Sequence, residues 1–136
     1  MLEVYSKNVE VAAEGSIPLT TVALMKGTST QLLGTSTIQF NKCGIYEVTV
    51  SGSVTGSAAG EIEVQLDKDG VLQPQAVALA TAADATSIIP FSFTTLIQVP
   101  DNNVINCPCA TVTTISLRNM GIAATYNTID VTAVRI

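Results

Sequence analysis

Phe40-Asn-Lys-Cys-Gly-Ile-Tyr-Glu-Val-Thr-Val-Ser-Gly-Ser-Val54 is the stretch on which the reading of this chain turns. In an extended chain, Tyr46, Val48, Val50 and Val54 share one face, and Glu47, Thr49, Ser51 and Ser53 share the other. Period-two alternation sustained over this length, with β-branched residues on both faces, is the pattern of a half-buried strand. The Asn41–Gly44 segment ahead of it is a turn, reached from a short strand at Thr37–Phe40.

The same pattern recurs on either side. Downstream, Glu61-Ile-Glu-Val-Gln-Leu-Asp67 alternates cleanly, with Ile62, Val64 and Leu66 inward. Lys68-Asp-Gly70 then signals a hairpin, because Asp-Gly supplies the positive φ of a tight turn. Between these strands, Gly52–Gly60 reads as a run of small residues that closes the first strand in a loop. Pro74 in the returning arm marks an edge or a bulge, since proline donates no ladder hydrogen bond. Val77–Ala85 is Ala-rich, and the pattern leaves helix turn, loop and irregular strand open. Phe91, Phe93 and Ile97 share one face of another strand within Ser87–Pro100. Thr111–Leu117, Ala123–Tyr126 and Thr128–Ile136 are further strands. Upstream, Val9–Ala13 and Ile17–Leu24 are extended pieces, with Pro18 at an edge or a strand start, and Thr28–Thr37 is loop and short strand. The first eight or so residues read as an N-terminal arm. Strands spaced by roughly eight to twelve residues, with no long amphipathic helix, predict an all-β antiparallel sandwich or jelly roll formed as one domain over 1–136.

Composition points to association. Apolar residues make up 47% of the 136 and charged residues only 12%, with aromatics at 4%, against about 25% charge in most soluble domains. A chain so poor in charge is expected to cover surface by pairing with copies of itself. The net charge of −5, from six basic and eleven acidic residues, gives no basic patch, so no nucleic-acid contact is expected. No apolar run approaches the ~18 residues of a spanning helix, so no membrane insertion is expected. Met-Leu-Glu-Val-Tyr-Ser-Lys lacks the basic and apolar regions of a secretory leader, which predicts synthesis in a cytoplasm without export by that route.

Little in the chain supports catalysis. It has no histidine, which removes the commonest general base, the commonest metal ligand and the Ser-His and Cys-His pairs. Glu61 and Glu63 share a strand face about 7 Å apart, opposite Ile62 and Val64, and read as a solvated outer face. Asp67-Lys-Asp-Gly70 has the start of a calcium loop without its remaining ligands. A hairpin turn accounts for it, with a cation at that tip or on an oligomer axis as the lesser alternative. Cys43, Cys107 and Cys109 are an odd set in a chain without a leader, and small buried thiols are expected rather than a disulfide framework. Cys107-Pro-Cys109 is poorly placed to bridge itself, and a zinc site would need ligands from other copies. No enzyme, no cofactor and no resident metal are expected.

Phe40-x-x-x-Gly44-x-Tyr46-x-Val48, followed by the apolar strand and turn of Glu61–Gly70, resembles the C1q/TNF-like jelly-roll superfamily. The chain is most similar to small C1q-like proteins of phages and of the surface and spore-coat layers of Gram-positive bacteria, although it carries none of the Gly-x-y repeats that often precede such heads. The resemblance implies a ten-strand jelly roll assembled as a compact homotrimer. It also implies an axis lined by residues of the inner sheet, for which Tyr46, Phe91 and Phe93 are the nominees, with ordinary core packing as the alternative role for all three. The function it implies is structural: a trimeric virion component such as a head decoration or fibre tip, partnered by other virion or surface-layer proteins. The alternative is a receptor-binding or adhesive head on a virion, cell or spore surface, acting through loops such as Gly52–Gly60 and Ala80–Thr86.

Overall fold

The computed structural model of the chain describes residues 1–99 and 113–136. They form β1 (Leu2–Val11), β2 (Thr21–Met25), β3 (Thr30–Leu33), β4 (Thr37–Phe40), β5 (Gly44–Gly56), β6 (Gly60–Lys68), β7 (Val71–Ala82), β8 (Ile89–Val99), β9 (Thr113–Asn119) and β10 (Ala124–Arg135). A front sheet of five strands has the order β2-β1-β10-β5-β8, and a back sheet of five has the order β3-β4-β9-β6-β7. All pairings are antiparallel. The chain passes from one sheet to the other repeatedly, so strands distant in sequence lie side by side, and the result is a jelly roll.

Alternation builds the core. On β5, Tyr46, Val48, Val50 and Val54 are fully buried, while Glu47 is exposed and Thr49 half-buried. Opposite them across the sandwich, β6 turns Ile62, Val64 and Leu66 inward. Phe40 and Tyr46 pack with ring centroids 4.4 Å apart, and Phe91 meets Tyr126 edge-on at 5.9 Å, a geometry that aromatic quadrupoles favour. The Tyr46 hydroxyl donates to the Lys42 carbonyl at 2.7 Å, so its polar end is satisfied at the turn that opens β5.

Two strands change phase, and this is where the pattern reading stopped short. On β10, Ala124 and Tyr126 point inward, and then Ile129, Val131 and Ala133 do. The change falls at Asn127, where the register against β5 shifts between Tyr126 and Thr128. β1 changes phase at the same level: Leu2, Val4 and Ser6 are buried, and then Val11, with Asn8 at φ 54° between them. From Leu2 onward these residues are therefore strand, paired from Leu2↔Ala133, and not an arm. Their alternation is genuine but interrupted, which hides it from a window that includes Asn8. At the β10 bulge the backbones close up, and a Cβ on Gly52 would collide with the Thr128 carbonyl oxygen.

Two further expectations are corrected. β5 runs on to Gly56, so only Ser57–Ala59 form the turn that the sequence places across Gly52–Gly60. The Ala-rich segment is strand as far as Ala82, because β6 supplies pairing partners from Gln65↔Val77 to Gly60↔Ala82; tertiary pairing overrides its helical propensity. The hairpin is as read, with Asp69 and Gly70 at φ 53° and 84° between β6 and β7. Pro74 sits exposed in β7, the edge strand of its sheet.

One end of the sandwich is closed by a buried amide. Asn119 is fully buried; its Nδ2 donates to the carbonyls of Val11, Ala12 and Ile122, at 2.8 Å to the last. Its Oδ1 accepts from the Tyr126 hydroxyl at 2.9 Å. Replacing it by alanine leaves that hydroxyl and these carbonyls short of partners, so Asn119→Ala is expected to lower stability by about 2–4 kcal/mol. Gly52→Ala is expected to lower it by about 1–3 kcal/mol through overpacking. Urea unfolding measures both, and a loss within roughly 0.5 kcal/mol for either, the range of an ordinary surface change, contradicts its assignment.

Candidate functional site

The carboxylates of the β6–β7 hairpin are used in holding it to β9. The Asp67 side chain is only 6% exposed and lies 3.1 Å from Arg118 Nε. It also accepts the Ser116 hydroxyl at 2.9 Å. Asp69 Oδ1 accepts the Thr114 amide at 2.9 Å. Glu61 and Glu63 lie on the solvent side of β6, exposed and half-buried respectively. Among the described residues no group of three or more His, Cys, Asp or Glu is gathered as a metal centre would require. Cys43 is disulfide-bonded, which corrects the expectation of a simple thiol there: an odd cysteine count leaves one over but does not prevent a pair. Cys107 and Cys109 lie outside the described residues.

Tyr46 and Phe91 are buried and Phe93 is half-buried, all three turned between the sheets. On the opposite face of the same strands lies a broad outer surface of the front sheet. Its middle consists of hydroxyls that satisfy one another across strands, Thr49 with Thr94 at 3.3 Å and Ser53 with Thr128 at 3.1 Å. At its β8 corner this face carries exposed aliphatic side chains around the exposed Glu47, which pairs with Leu96. Ile45, Leu96 and Ile136 are 46%, 58% and 74% exposed, and Val134 sits beside them, paired with Glu47. At the other edge, every residue of β2 is exposed, including Val22, Leu24 and Met25.

Near the centre of the face stand two acids. Asp130 on β10, the middle strand, lies diagonally across from Glu3 on β1, the one paired with Tyr5 and the other with Thr132. Partial burial, then the Glu3 charge and the Glu3 hydrogen bond, push the Asp130 carboxyl above its ordinary value, and the Thr132 hydroxyl only partly offsets this.

The far end of the face rises into a groove of about 590 Å³ whose wall includes Glu10, Thr55, Ser57, Ala85 and Thr125. Glu10, Thr125 and Thr55 form one row across β1, β10 and β5. The connection from β7 to β8 that overhangs it is tied by Asp84, whose Oδ1 accepts the amides of Thr86 and Ser87 at 2.8 and 2.9 Å and both their hydroxyls. These bonds hold the Asp84 carboxyl below its ordinary value. Of the loop expected at Ala80–Thr86, residues 80–82 are strand. The sequence reading missed the acid pair because Glu3 and Asp130 are 127 positions apart; only the β1–β10 register brings them together.

No protein-family model and no curated protein matches the chain. Solved structures do. The globular domain of zebrafish complement 1qA protein superposes with a TM-score of 0.68 at 8% identity, over 99% of this chain and 95% of that one. Murine APRIL gives 0.71 at 8% identity, over 99% and 98%. Eiger TNF from S. frugiperda gives 0.71 at 10% identity, over 99% and 92%. At such identities the likeness is one of fold, and the fold is the C1q/TNF-type jelly roll.

The disulfide is directly testable. Alkylation of unreduced, unfolded protein is expected to leave the Cys43 peptide unlabelled, with labelling appearing only after reduction. Full labelling of Cys43 before reduction contradicts the assignment.

Proposed function

We propose that the chain is a non-enzymatic structural protein working as a compact homotrimer, and that the trimer is a virion component such as a phage head decoration or fibre-tip protein. The observation that carries the assembly is the pairing of a C1q/TNF-type jelly roll with two separate aliphatic surfaces on one sheet: the β2 edge and the Ile45–Leu96–Ile136 corner. With five strands about 4.8 Å apart, these surfaces are about 19 Å from each other. A closed ring is built by joining two different surfaces head to tail, and this arrangement offers two. The contact is made by the outward side chains of the same strands that carry Tyr46, Phe91 and Phe93, since those rings are spent on the core of their own protomer.

The placement on a virion rests on the resemblance of the Phe40–Val48 and Glu61–Gly70 stretches to small C1q-like phage proteins. Its partners are then other virion proteins, or surface-layer proteins if the trimer sits on a bacterial cell or spore. The charge of −5 argues against nucleic acid as a partner. A second reading, a receptor-binding or adhesive head, is favoured by the groove above Glu10, which is roomy enough for a small ligand. Its hydroxyl-rich wall and single carboxylate suit a polar, uncharged or amine-bearing group.

Light scattering on a size-exclusion column tests the main reading. The wild type is expected to run at three times the chain mass, and the double variant Ile45→Asp, Leu96→Asp to run as a folded monomer with unchanged β circular dichroism. A monomeric wild type overturns the assembly, and a trimeric double variant overturns this choice of surface. Glycan-array binding that is lost in Glu10→Ala would instead favour the adhesive head.

A further inference from the structure

The basic residues are scattered through the sequence, but the fold brings several of them to the end of the sandwich where β5 begins and β6 and β10 end. Lys42 lies in the turn that opens β5, Lys68 closes β6, and Arg135 closes β10. Arg135 lines a pocket of about 330 Å³ there, with Cys43, Gly44, Ile45, Gln98 and Val99. Lys68 reaches its rim from the other sheet. Both cations stand at inward-facing positions just where the core stops: Arg135 pairs with the buried Tyr46, and Lys68 with the buried Ile115.

Each cationic head is anchored by a neutral acceptor. Arg135 Nη2 donates to the Cys43 carbonyl at 2.7 Å, and Lys68 Nζ to the Gln98 carbonyl at 2.8 Å. Strand rise and spacing put Cys43 and Gln98 about 8 Å apart, since Gly44 pairs with Val99 and Ile45 with Gln98. Gly44 makes room for the guanidinium. Its φ of 143° favours glycine, and a Cβ there would stand 2.8 Å from Arg135 Nε. No carboxylate compensates either head: among the described residues the ion pair is Arg118 with Asp67. The Asp69 carboxylate accepts the Thr114 amide, and Glu47 stands on the outer face of the front sheet, paired with Leu96. Asp101 lies outside the described residues.

We propose that this pocket is an oxyanion subsite, in which Arg135 from the front sheet and Lys68 from the back sheet bind one doubly charged tetrahedral group, phosphate or sulfate. An ammonium has three donors and a guanidinium five, so both heads keep hydrogen bonds to give after their carbonyl anchors are counted. A dianion compensates both charges, where a monocarboxylate compensates one. The anchors also hold the two long side chains in place beforehand, which reduces the ordering that binding demands. Two cations at one pocket are too few to track a nucleic-acid backbone. The ligand is a small anion, either free or as the charged group of a small molecule.

Titration with sulfate and with inorganic phosphate at constant ionic strength, followed by nitrogen-15 shifts, tests the site. Saturable movement is expected at the Arg135 Nε–H and at the amides of Gly44, Ile45 and Val99. Between about pH 5 and pH 8, sulfate affinity is expected to hold steady and phosphate affinity to rise as the second phosphate proton is lost. Arg135→Gln and Lys68→Gln are each expected to weaken sulfate binding roughly tenfold, and acetate to bind the wild type weaker than sulfate by a similar factor. Lys7→Gln, on β1 away from the pocket, is expected to leave the affinity unchanged. Circular dichroism checks the fold of each variant, and Lys68→Gln carries the test if Arg135→Gln does not fold. A phosphate monoester that binds more tightly than inorganic phosphate identifies the anion as part of a larger ligand; equal affinity identifies a free anion. Shifts that never saturate, an affinity unchanged in the folded variants, or acetate binding as tightly as sulfate overturns the proposal.

Discussion

The structure depends on keeping inward faces in phase across the pairing of β5 with β10. These are the longest neighbours of the front sheet, and they pair from Ala124↔Gly56 to Arg135↔Tyr46 with a single register shift at Asn127. A slip of one residue on either would turn a buried aliphatic row to solvent. β5 alternates without interruption, so any irregularity has to be absorbed by its partners. β10 takes it up at Asn127, and β1 makes a matching adjustment at Asn8, where a non-glycine residue adopts positive φ. Asparagine tolerates that conformation better than most residues. Gly52 is the corresponding concession on β5, at the level where the bulge brings the backbones together.

This explains what could be read from the amino acids alone. β5, β6, the Asp69-Gly70 hairpin and β8 are legible because their alternation is unbroken and their turn chemistry is local. The inward assignments of Tyr46, Val48, Val50, Val54, Ile62, Val64 and Leu66 follow from parity and hold. β1 was half-missed because its two inward runs, Leu2–Ser6 and Val9–Val11, belong to opposite parities. β7 was left open because alanine carries no β signature, and its strand state comes from β6 beside it. Parity also places Phe91 and Phe93 on one face, but no parity argument says whether that face meets the opposite sheet or another copy. The structure turns them, with Tyr46, toward the opposite sheet.

The surface features relevant to function are all products of register. The acid pair joins the second strand residue of the chain to one near its end. The aliphatic corner gathers Ile45 from β5, Leu96 from β8 and Ile136 from just past the end of β10. Between these features the Thr49–Thr94 and Ser53–Thr128 pairs meet their own hydrogen-bonding need across the strands. A sheet face of that kind is cheap to desolvate compared with one bearing salt bridges.

The Leu2↔Ala133 pairing also bears on how the fold takes load. The beginning of β1 and the end of β10 lie side by side at one end of the front sheet. Tension applied through these two ends would peel the β1–β10 ladder open one hydrogen bond at a time, instead of shearing all of its bonds together. A load carried through only one of them spares that seam. Held by a single end, the domain is a sturdy knob; pulled from both, it is a zipper.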